Sequence, residues 1–272
     1  MPILAVGLGL LVGVSLGALG AGGSILTVPV LVYLLGQDPY TATTSSLLIV
    51  GATSLIALLP HARRHRVRVA EGLLFGALGT AGSVAGARLS ALVDPQLLLL
   101  AFAALMLVVA GLMLRRSRAH SQLAARAGFP RGGRVFDIHL LRCGCRRAAK
   151  LVVAATAVGL LTGFFGVGGG FALVPALVLV LYYPMPVAVG TSLLVIAVNS
   201  ATAFLARLGP GTAYLDWAML SAFTVVTVAG SLLGARLASR THPQLLERVF
   251  GVVLVLVGLY TGAHGVLMLV AR

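Results

Sequence analysis

The segment Gly163-Phe-Phe-Gly-Val-Gly-Gly-Gly170 decides how this chain is organised, because an earlier segment repeats its pattern. That earlier segment, Gly17-Ala-Leu-Gly-Ala-Gly-Gly-Ser24, stands 146 residues before it, and a proline follows each, at Pro29 and Pro175. Each segment interrupts an apolar stretch long enough to form one continuous helix. Paired helix breaks in corresponding positions of two apolar halves are typical of membrane transporters built from internal repeats. The pattern therefore predicts a duplicated chain in a membrane.

The composition is that of an integral membrane protein. Of the 272 residues, 59% are hydrophobic and only 10% are charged, with a mean hydropathy of +1.06, whereas soluble domains carry about 25% charged residues. Apolar stretches of about 20 residues recur along the chain, which is the length a helix needs to cross a bilayer. The first six residues include no basic one, so we expect them to start the first helix rather than a cleaved signal peptide.

Positive charge is concentrated in two hydrophilic stretches. The chain has 20 Lys and Arg against 6 Asp and Glu, a net charge of +14, and four of the 20 lie in 63–68 and ten in 115–150. Basic loops of membrane proteins face the cytoplasm and attract anionic lipid headgroups. Neither stretch has interleaved aromatic residues or a known binding motif, so nucleic acid is excluded as a partner.

The two cysteines, Cys143 and Cys145, lie in the second basic stretch. Their Cys-Gly-Cys spacing is too tight for an ordinary disulfide, and a cytoplasmic loop lies in a reducing compartment. With His139 nearby a metal site is conceivable, but zinc sites use four ligands at better-defined spacing. We expect two free thiols, no metal site and no cofactor.

Further matched segments divide the chain into two halves. Thr44-Ser-Ser-Leu47 lies opposite Gly190-Thr-Ser-Leu193, and Gly82-Ser-Val-Ala-Gly-Ala-Arg-Leu89 lies opposite Gly230-Ser-Leu-Leu-Gly-Ala-Arg-Leu237. The predicted fold is an all-α polytopic membrane protein with two homologous four-helix halves, the first helix of each broken by a glycine-rich motif. The predicted domains are a first transmembrane repeat at 1–115, a basic cytoplasmic linker at 116–150 and a second transmembrane repeat at 151–272. The apolar units lie at 3–35, 42–59, 69–93, 96–114, 151–183, 187–208, 213–238 and 244–270.

The topology depends on the two glycine-broken units. If each crosses the membrane once, the chain has eight crossings, parallel halves and both termini in the cytoplasm, and this is the arrangement we expect. If each instead folds back as a re-entrant hairpin, each half has three crossings and the halves are inverted. The hairpin stays open because each unit is about 33 residues long, more than one crossing needs at 1.5 Å per residue.

The glycine breaks are the first candidate for a binding site. A helix that restarts after a break presents free N–H groups and the positive end of its dipole, and this combination binds anions without a basic side chain. The candidate residues are Gly22, Gly23 and Ser24 in the first half and Gly168, Gly169 and Gly170 in the second. Close helix packing is the alternative role, and it is the role we expect for the Gly-x-x-x-Gly pairs 82/86 and 230/234.

Hydroxyl, amide and guanidinium groups add further candidates. Ser45 and Ser46 begin the helix after the first break, and Thr191 and Ser192 begin the corresponding helix, with Asn199 one heptad beyond Ser192 on the same face. These groups either line a pathway or bond back to their own helix. Arg88 and Arg236 end matched Gly-Ala-Arg triplets. Ionisable residues in membrane segments are candidates by default, but near helix ends they also extend to the interface.

The repeated motifs resemble those of the TauE/SafE sulfite-exporter family of membrane permeases. The residues that carry the resemblance are Gly163 to Phe171 with Val174-Pro175, then Ala188 to Leu193, with their first-half echoes and the two Gly-Ala-Arg triplets. The resemblance covers nearly the whole chain apart from the linker. It implies a duplicated four-helix unit and the transport of sulfite, sulfonates and related organic anions across the bacterial inner membrane.

Two functions from different classes follow from these observations. The first is a secondary transporter of small anions in the bacterial inner membrane, with the anion and membrane lipid as its partners, no enzymatic activity, and homo-oligomer formation left open. The second is a non-transporting membrane scaffold or assembly factor that acts through its basic cytoplasmic loop. The sequence does not choose the anion, the direction of transport or the coupling ion.

Overall fold

A computed structural model describes the chain over 2–20, 27, 30–31, 36–37, 39–90, 92–93, 95–124, 145–165, 170–206 and 216–270. Within these residues the chain is all-helical, as predicted. The nine helices whose bounds are described are α1 (Pro2–Leu19), α2 (Pro39–Arg63), α3 (Val69–Ser90), α4 (Pro95–Ala124), α5 (Cys145–Phe165), α6 (Gly170–Leu179), α7 (Met185–Ala206), α8 (Trp217–Arg240) and α9 (Pro243–Val270).

The helices have the length and composition of membrane spans. Among the described residues, α2, α3, α7, α8 and α9 each contain an apolar stretch long enough to cross a bilayer, and α1, α4 and α5 contain shorter apolar stretches. Their outward faces carry many exposed Leu and Val side chains, as expected where lipid rather than water surrounds the bundle. The protein is therefore a multi-pass membrane protein.

Several helices extend beyond the predicted apolar units. Helix α2 continues through Pro60 to Arg63. The proline removes one backbone hydrogen bond, and only three helical residues follow it. Helix α4 runs on to Ala124, and α5 begins at Cys145. Polar residues at these ends continue the helices past the apolar stretch, so the described helices reach into the linker predicted at 116–150.

Two pairs of helices pack closely and run in the same direction. Helix α1 packs on α8, where a Cβ atom at Gly13 would overlap the Thr227 carbonyl and one at Gly17 would overlap the Ser231 carbonyl. Helix α3 packs on α5 in the same way. There the corresponding overlaps are Gly82 with Thr156, Gly86 with Leu160, Gly159 with Gly79 and Gly163 with Ser83. The packing role predicted for the Gly-x-x-x-Gly pairs is confirmed, since Gly230 and Gly234 likewise meet the backbone of α1.

Two other pairs run antiparallel, and each joins corresponding units of the two halves. Helix α2 packs on α7, where a Cβ atom at Gly51 would lie 3.1 Å from Cβ of Ser200 and one at Gly190 would lie 3.2 Å from Cβ of His61. Helix α4 packs on α9, with Gly251 beside Leu114. Parallel halves would place corresponding helices in the same direction, so the parallel arrangement expected above is wrong for these helices.

The glycine-broken unit of the second half returns to the side from which it started. Helix α3 runs parallel to α5, and it also runs parallel to α7, because Gly72 lies beside Thr191 and Gly76 beside Asn199. Helices α5 and α7 therefore share one direction, and the chain between them, which includes the ten-residue α6, has to lead back. At 1.5 Å per residue α6 covers about 15 Å of that return. For this unit the shared direction of α5 and α7 favours the hairpin alternative over a single crossing.

In the first half, α1 and α2 likewise share one direction. Val12 belongs to the same packed cluster as Ala42 and Ile49 of the first half of α2, while the Gly17 carbonyl lies beside His61 near the end of α2. The basic loop after α2 and the start of α5 consequently lie at one end of the bundle, called the basic end below. The start of α1 lies at the other end.

Candidate functional site

The hydroxyls that begin α2 and α7 are buried and bond back to their own helices. Ser46 Oγ donates to the Thr43 carbonyl, and Ser192 Oγ donates to the Val189 carbonyl, both at 2.8 Å. Ser45, Thr191 and Ser192 are almost fully buried. Back-bonding, one of the two alternatives left open by the sequence, is thus observed for Ser46 and Ser192, and the oxygens of these two hydroxyls keep acceptor capacity.

The end of the first glycine-broken helix lies against the hydroxyl cluster of the other half. Helix α1 ends at Leu19, and Gly20 follows with a positive φ of 77°. A Cβ atom at Gly20 would lie 2.6 Å from Ser192 Oγ and 3.2 Å from Cα of Val189. Only glycine allows this approach of backbone to hydroxyl. The structure thus brings together a break and a hydroxyl cluster from different halves.

The two hydroxyl clusters do not meet each other. Because α2 and α7 are antiparallel, the contacts of Gly51 and Gly190 put Ser192 level with Leu59 of α2. Ser46 lies thirteen residues before Leu59, which corresponds to about 20 Å along the helix axis. A single site that includes both Ser46 and Ser192 is therefore excluded for this conformation. Sequence spacing did not reveal this, because it carries no information on helix direction.

A polar layer lies near the middle of α2 and α7. Thr53 and Ser54 are fully buried, and their hydroxyl oxygens have no hydrogen-bond partner among the described residues. On α7, Asn199 Oδ1 lies 3.5 Å from the hydroxyl of Thr80, a residue of α3. Asn199 lies seven residues, about two helical turns, beyond Ser192, so a ligand moving between these levels would pass polar groups.

The two predicted arginines lie outside the packed core. Arg88 and Arg236 are exposed, and they lie near the ends of α3 and α8, which point to opposite ends of the bundle. The structure does not bring them together or turn them toward Ser192. The physical reason is their place on the outer helix faces, where a guanidinium reaches the membrane interface.

Several predicted site residues lie outside the described part of the chain. These are Gly22, Gly23, Ser24, Gly168 and Gly169, and the cysteine Cys143 also falls there. Gly170 is described as the first residue of α6. The anion site predicted at the glycine breaks therefore stays a prediction.

One cluster at the basic end was missed by the sequence analysis. The guanidinium of Arg68 pairs with Glu71 at 3.0 Å and stacks 4.8 Å from the ring centre of Tyr183. The backbone N–H of Arg68 donates to Thr191 Oγ1 at 3.2 Å. The cluster joins α3 to α7 and to the connection before it. From the sequence alone, Arg68 is only one of the four basic residues in 63–68.

His61 was missed for the same reason. It follows Pro60 and stands next to the run of arginines, so the sequence placed it in the loop, but it is only 4% exposed in the last turn of α2. A helix can continue for a few residues past a proline. The sequence was therefore also compatible with His61 lying inside α2 and buried in the bundle.

Comparisons with known proteins agree with this architecture of packed apolar helices. The model of the family described as Sulfite exporter TauE/SafE matches residues 5–261. A "Probable membrane transporter protein" of Xylella fastidiosa (strain 9a5c) is 35% identical over 95% of this chain and 94% of its own length. The "Probable membrane transporter protein YunE" of Bacillus subtilis is 28% identical over 94% of this chain and 95% of its own. No solved structure matches the chain. The chain belongs to the TauE/SafE sulfite-exporter family, and it is a membrane transporter.

Proposed function

We propose that this transporter carries small oxyanions, with sulfite and sulfonates as the first candidates, across the bacterial inner membrane. The family description names sulfite, and relatives of similar length occur in bacteria. The chain has few acidic residues to hold a cation. Glu71, which lies on α3 near Thr191, is paired with Arg68.

The contact of Gly20 with Ser192 is the observation that carries the proposal. It joins the break after α1 to a buried hydroxyl of the other half. The N–H of Gly20 itself closes the last turn of α1 on the Leu16 carbonyl, and its positive φ turns the chain at this point. The N–H donors of the proposed site are therefore those predicted in the glycine motif that follows, where a restarting helix binds oxyanions without a fixed positive charge. In inverted-repeat transporters, sites between the repeats open to one side and then the other as the repeats move.

Transport by the purified chain in proteoliposomes tests the proposal. We expect saturable uptake of labelled sulfite that protein-free liposomes lack. Ser192→Ala removes one neutral hydroxyl from the site and should weaken apparent sulfite affinity by about 0.5–1.5 kcal/mol, or roughly two- to tenfold.

Ser221→Ala is the matched control for that variant. The Ser221 hydroxyl also bonds back to a carbonyl three residues earlier, that of Ala218, but it lies on the exposed face of α8. This variant should transport sulfite normally. Equal affinity in both variants would remove Ser192 from the site, and a wild-type protein that moves no anion of a sulfite, sulfonate and carboxylate panel would refute the proposed function.

A further inference from the structure

His61 is a buried titratable group in a membrane helix. It is 4% exposed, and neither ring nitrogen makes a hydrogen bond of good geometry within the described residues, although the carbonyls of Gly17 and Pro186 lie close to the ring. A buried imidazole normally satisfies at least one of its nitrogens. An ionisable residue in a membrane segment is a functional candidate by default.

The ring lies at the same level as the proposed anion site. The carbonyl groups of Gly17 on α1 and of Pro186 on α7 lie beside it, and Gly190 of α7 packs against its Cβ. Gly17 is one helical turn before Gly20, and Gly190 is two residues before Ser192. His61 therefore borders the contact between Gly20 and Ser192.

The charged groups that face His61 are both positive. They are the guanidinium groups of Arg64 and Arg66, in the loop that follows α2, while α1 and α7 face the ring with backbone carbonyls. A neutral imidazole has one N–H and can donate to one carbonyl, whereas an imidazolium can donate to both. Burial has the largest effect and opposes the charged ring, the two guanidinium groups oppose it as well, and the two carbonyls favour it.

A bound anion would change this balance. Its negative charge beside Ser192 would offset the two guanidinium charges and part of the cost of burying a charged ring, and would so favour the imidazolium, since opposite charges attract more strongly in a partly desolvated site than in water. By thermodynamic linkage, a ring that is protonated more readily when the anion is bound also raises the affinity for the anion by the same factor.

We propose that His61 binds a proton together with the transported anion, so that the protein is a proton–anion symporter. This inference rests on the proposed function. One proton from the solution adds to a ring nitrogen as the anion binds, and it leaves to the opposite solution when the anion is released there. The combined gradients of proton and anion then set the direction of transport.

The test uses the full-length protein in proteoliposomes with labelled sulfite and an internal pH indicator at pH 7.5, and protein-free liposomes give the passive leak. In the wild type, an acidic exterior should drive sulfite accumulation, and sulfite entry should acidify the interior. His61→Gln should lose both, down to the protein-free level, while it retains exchange of internal for external sulfite, which needs no net proton movement.

His65→Gln is the control, because His65 lies four residues further on in the exposed loop, and it should keep full coupling. His61→Asn serves if the glutamine variant does not elute as a folded protein.

Sulfite uptake by the wild type that is independent of the pH gradient would overturn the coupling and leave the proposed function standing. Coupling that persists in His61→Gln would overturn the role of His61. Absence of sulfite flux in the wild type would overturn both proposals for this anion.

Discussion

Single residues in the two halves adopt the same local structure where the glycine-broken units end. Gly36 and Tyr182, 146 residues apart, both have a positive φ, 66° and 57°. The residue after each donates its N–H to a carbonyl six residues earlier at 3.0 Å, Gln37 to Leu31 and Tyr183 to Leu177. Many helices end with a left-handed residue and a bond that reaches back five residues, and here both bonds reach back six. It is what an internal duplication predicts.

Replacing Gly36 with alanine tests the backbone requirement alone. A Cβ atom at Gly36 would meet nothing within 4 Å, so the cost comes only from the left-handed conformation, roughly 1–2 kcal/mol for an L-residue. We expect a lower midpoint of thermal unfolding in Gly36→Ala, followed by the intrinsic fluorescence of the purified protein. Gly111→Ala, which also has open space around the added carbon but a helical φ, should unfold at or above the wild-type temperature.

At the scale of helices, two glycine seams hold the halves against each other. In α1 against α8 and in α5 against α3, glycines at matched positions bring backbone to backbone. Without a hydrophobic driving force between helices in lipid, such close packing is a main source of association. The sequence showed these glycines but not their partners, because a small residue indicates a close approach without naming what approaches.

Gly17→Ala tests the first seam. The added methyl would overlap the Ser231 carbonyl, a backbone atom that cannot turn aside, so we expect a loss of about 1–3 kcal/mol of stability from overpacking. Gly7→Ala is the control in the same helix, since a Cβ atom there would meet nothing within 4 Å. Thermal inactivation in detergent should separate the two variants, and equal stability would mean that the seam is not tightly packed.

The Arg68 cluster links helices at the basic end and predicts a measurable effect on access. Its ion pair and cation–π contact are partly exposed, so each contributes about 1 kcal/mol or less, but such energies shift a conformational equilibrium several-fold. The measurement uses a protein in which Cys143 and Cys145 are replaced by serine and Ser192 by cysteine. When Arg68 is also changed to Gln, this cysteine should react about two- to tenfold faster with a thiol reagent added from the basic end.

Arg63→Gln, a change in the exposed end of α2, is the control for that measurement. It removes the same charge without touching Glu71 or Tyr183, so it should leave the labelling rate unchanged. Equal acceleration by both variants would assign the effect to loop charge rather than to the Arg68 cluster.

For the whole molecule, composition predicted the membrane location and the helical class, but not the path of the chain. Helix direction was inaccessible, because an apolar unit of about 33 residues is compatible with one long crossing or with an outward and a returning arm. The direction became visible only from contacts between distant residues, such as Gly51 with Ser200. The same limit applies to the candidate site. The sequence identified the hydroxyls of Ser46 and Ser192 as candidates, but it did not show that the antiparallel directions of α2 and α7 separate them.

The paths of the helices predict that both termini lie on the side of the membrane opposite the cytoplasm. Helices α1, α2 and α8 share one direction, so α8 ends at the basic end and α9, which begins there, ends at the opposite one, where α1 starts. The basic end carries the four basic residues of 63–68 and the start of α5, and the positive-inside rule assigns it to the cytoplasm.

Alkaline phosphatase fused after Arg272 should therefore be active in intact cells, and green fluorescent protein at the same position should stay dark. The same reporters inserted after Arg131, in the basic linker, should behave in the opposite way. Fluorescence from the C-terminal fusion together with fluorescence from the linker would place both on one side, a result that only parallel halves with eight crossings could explain.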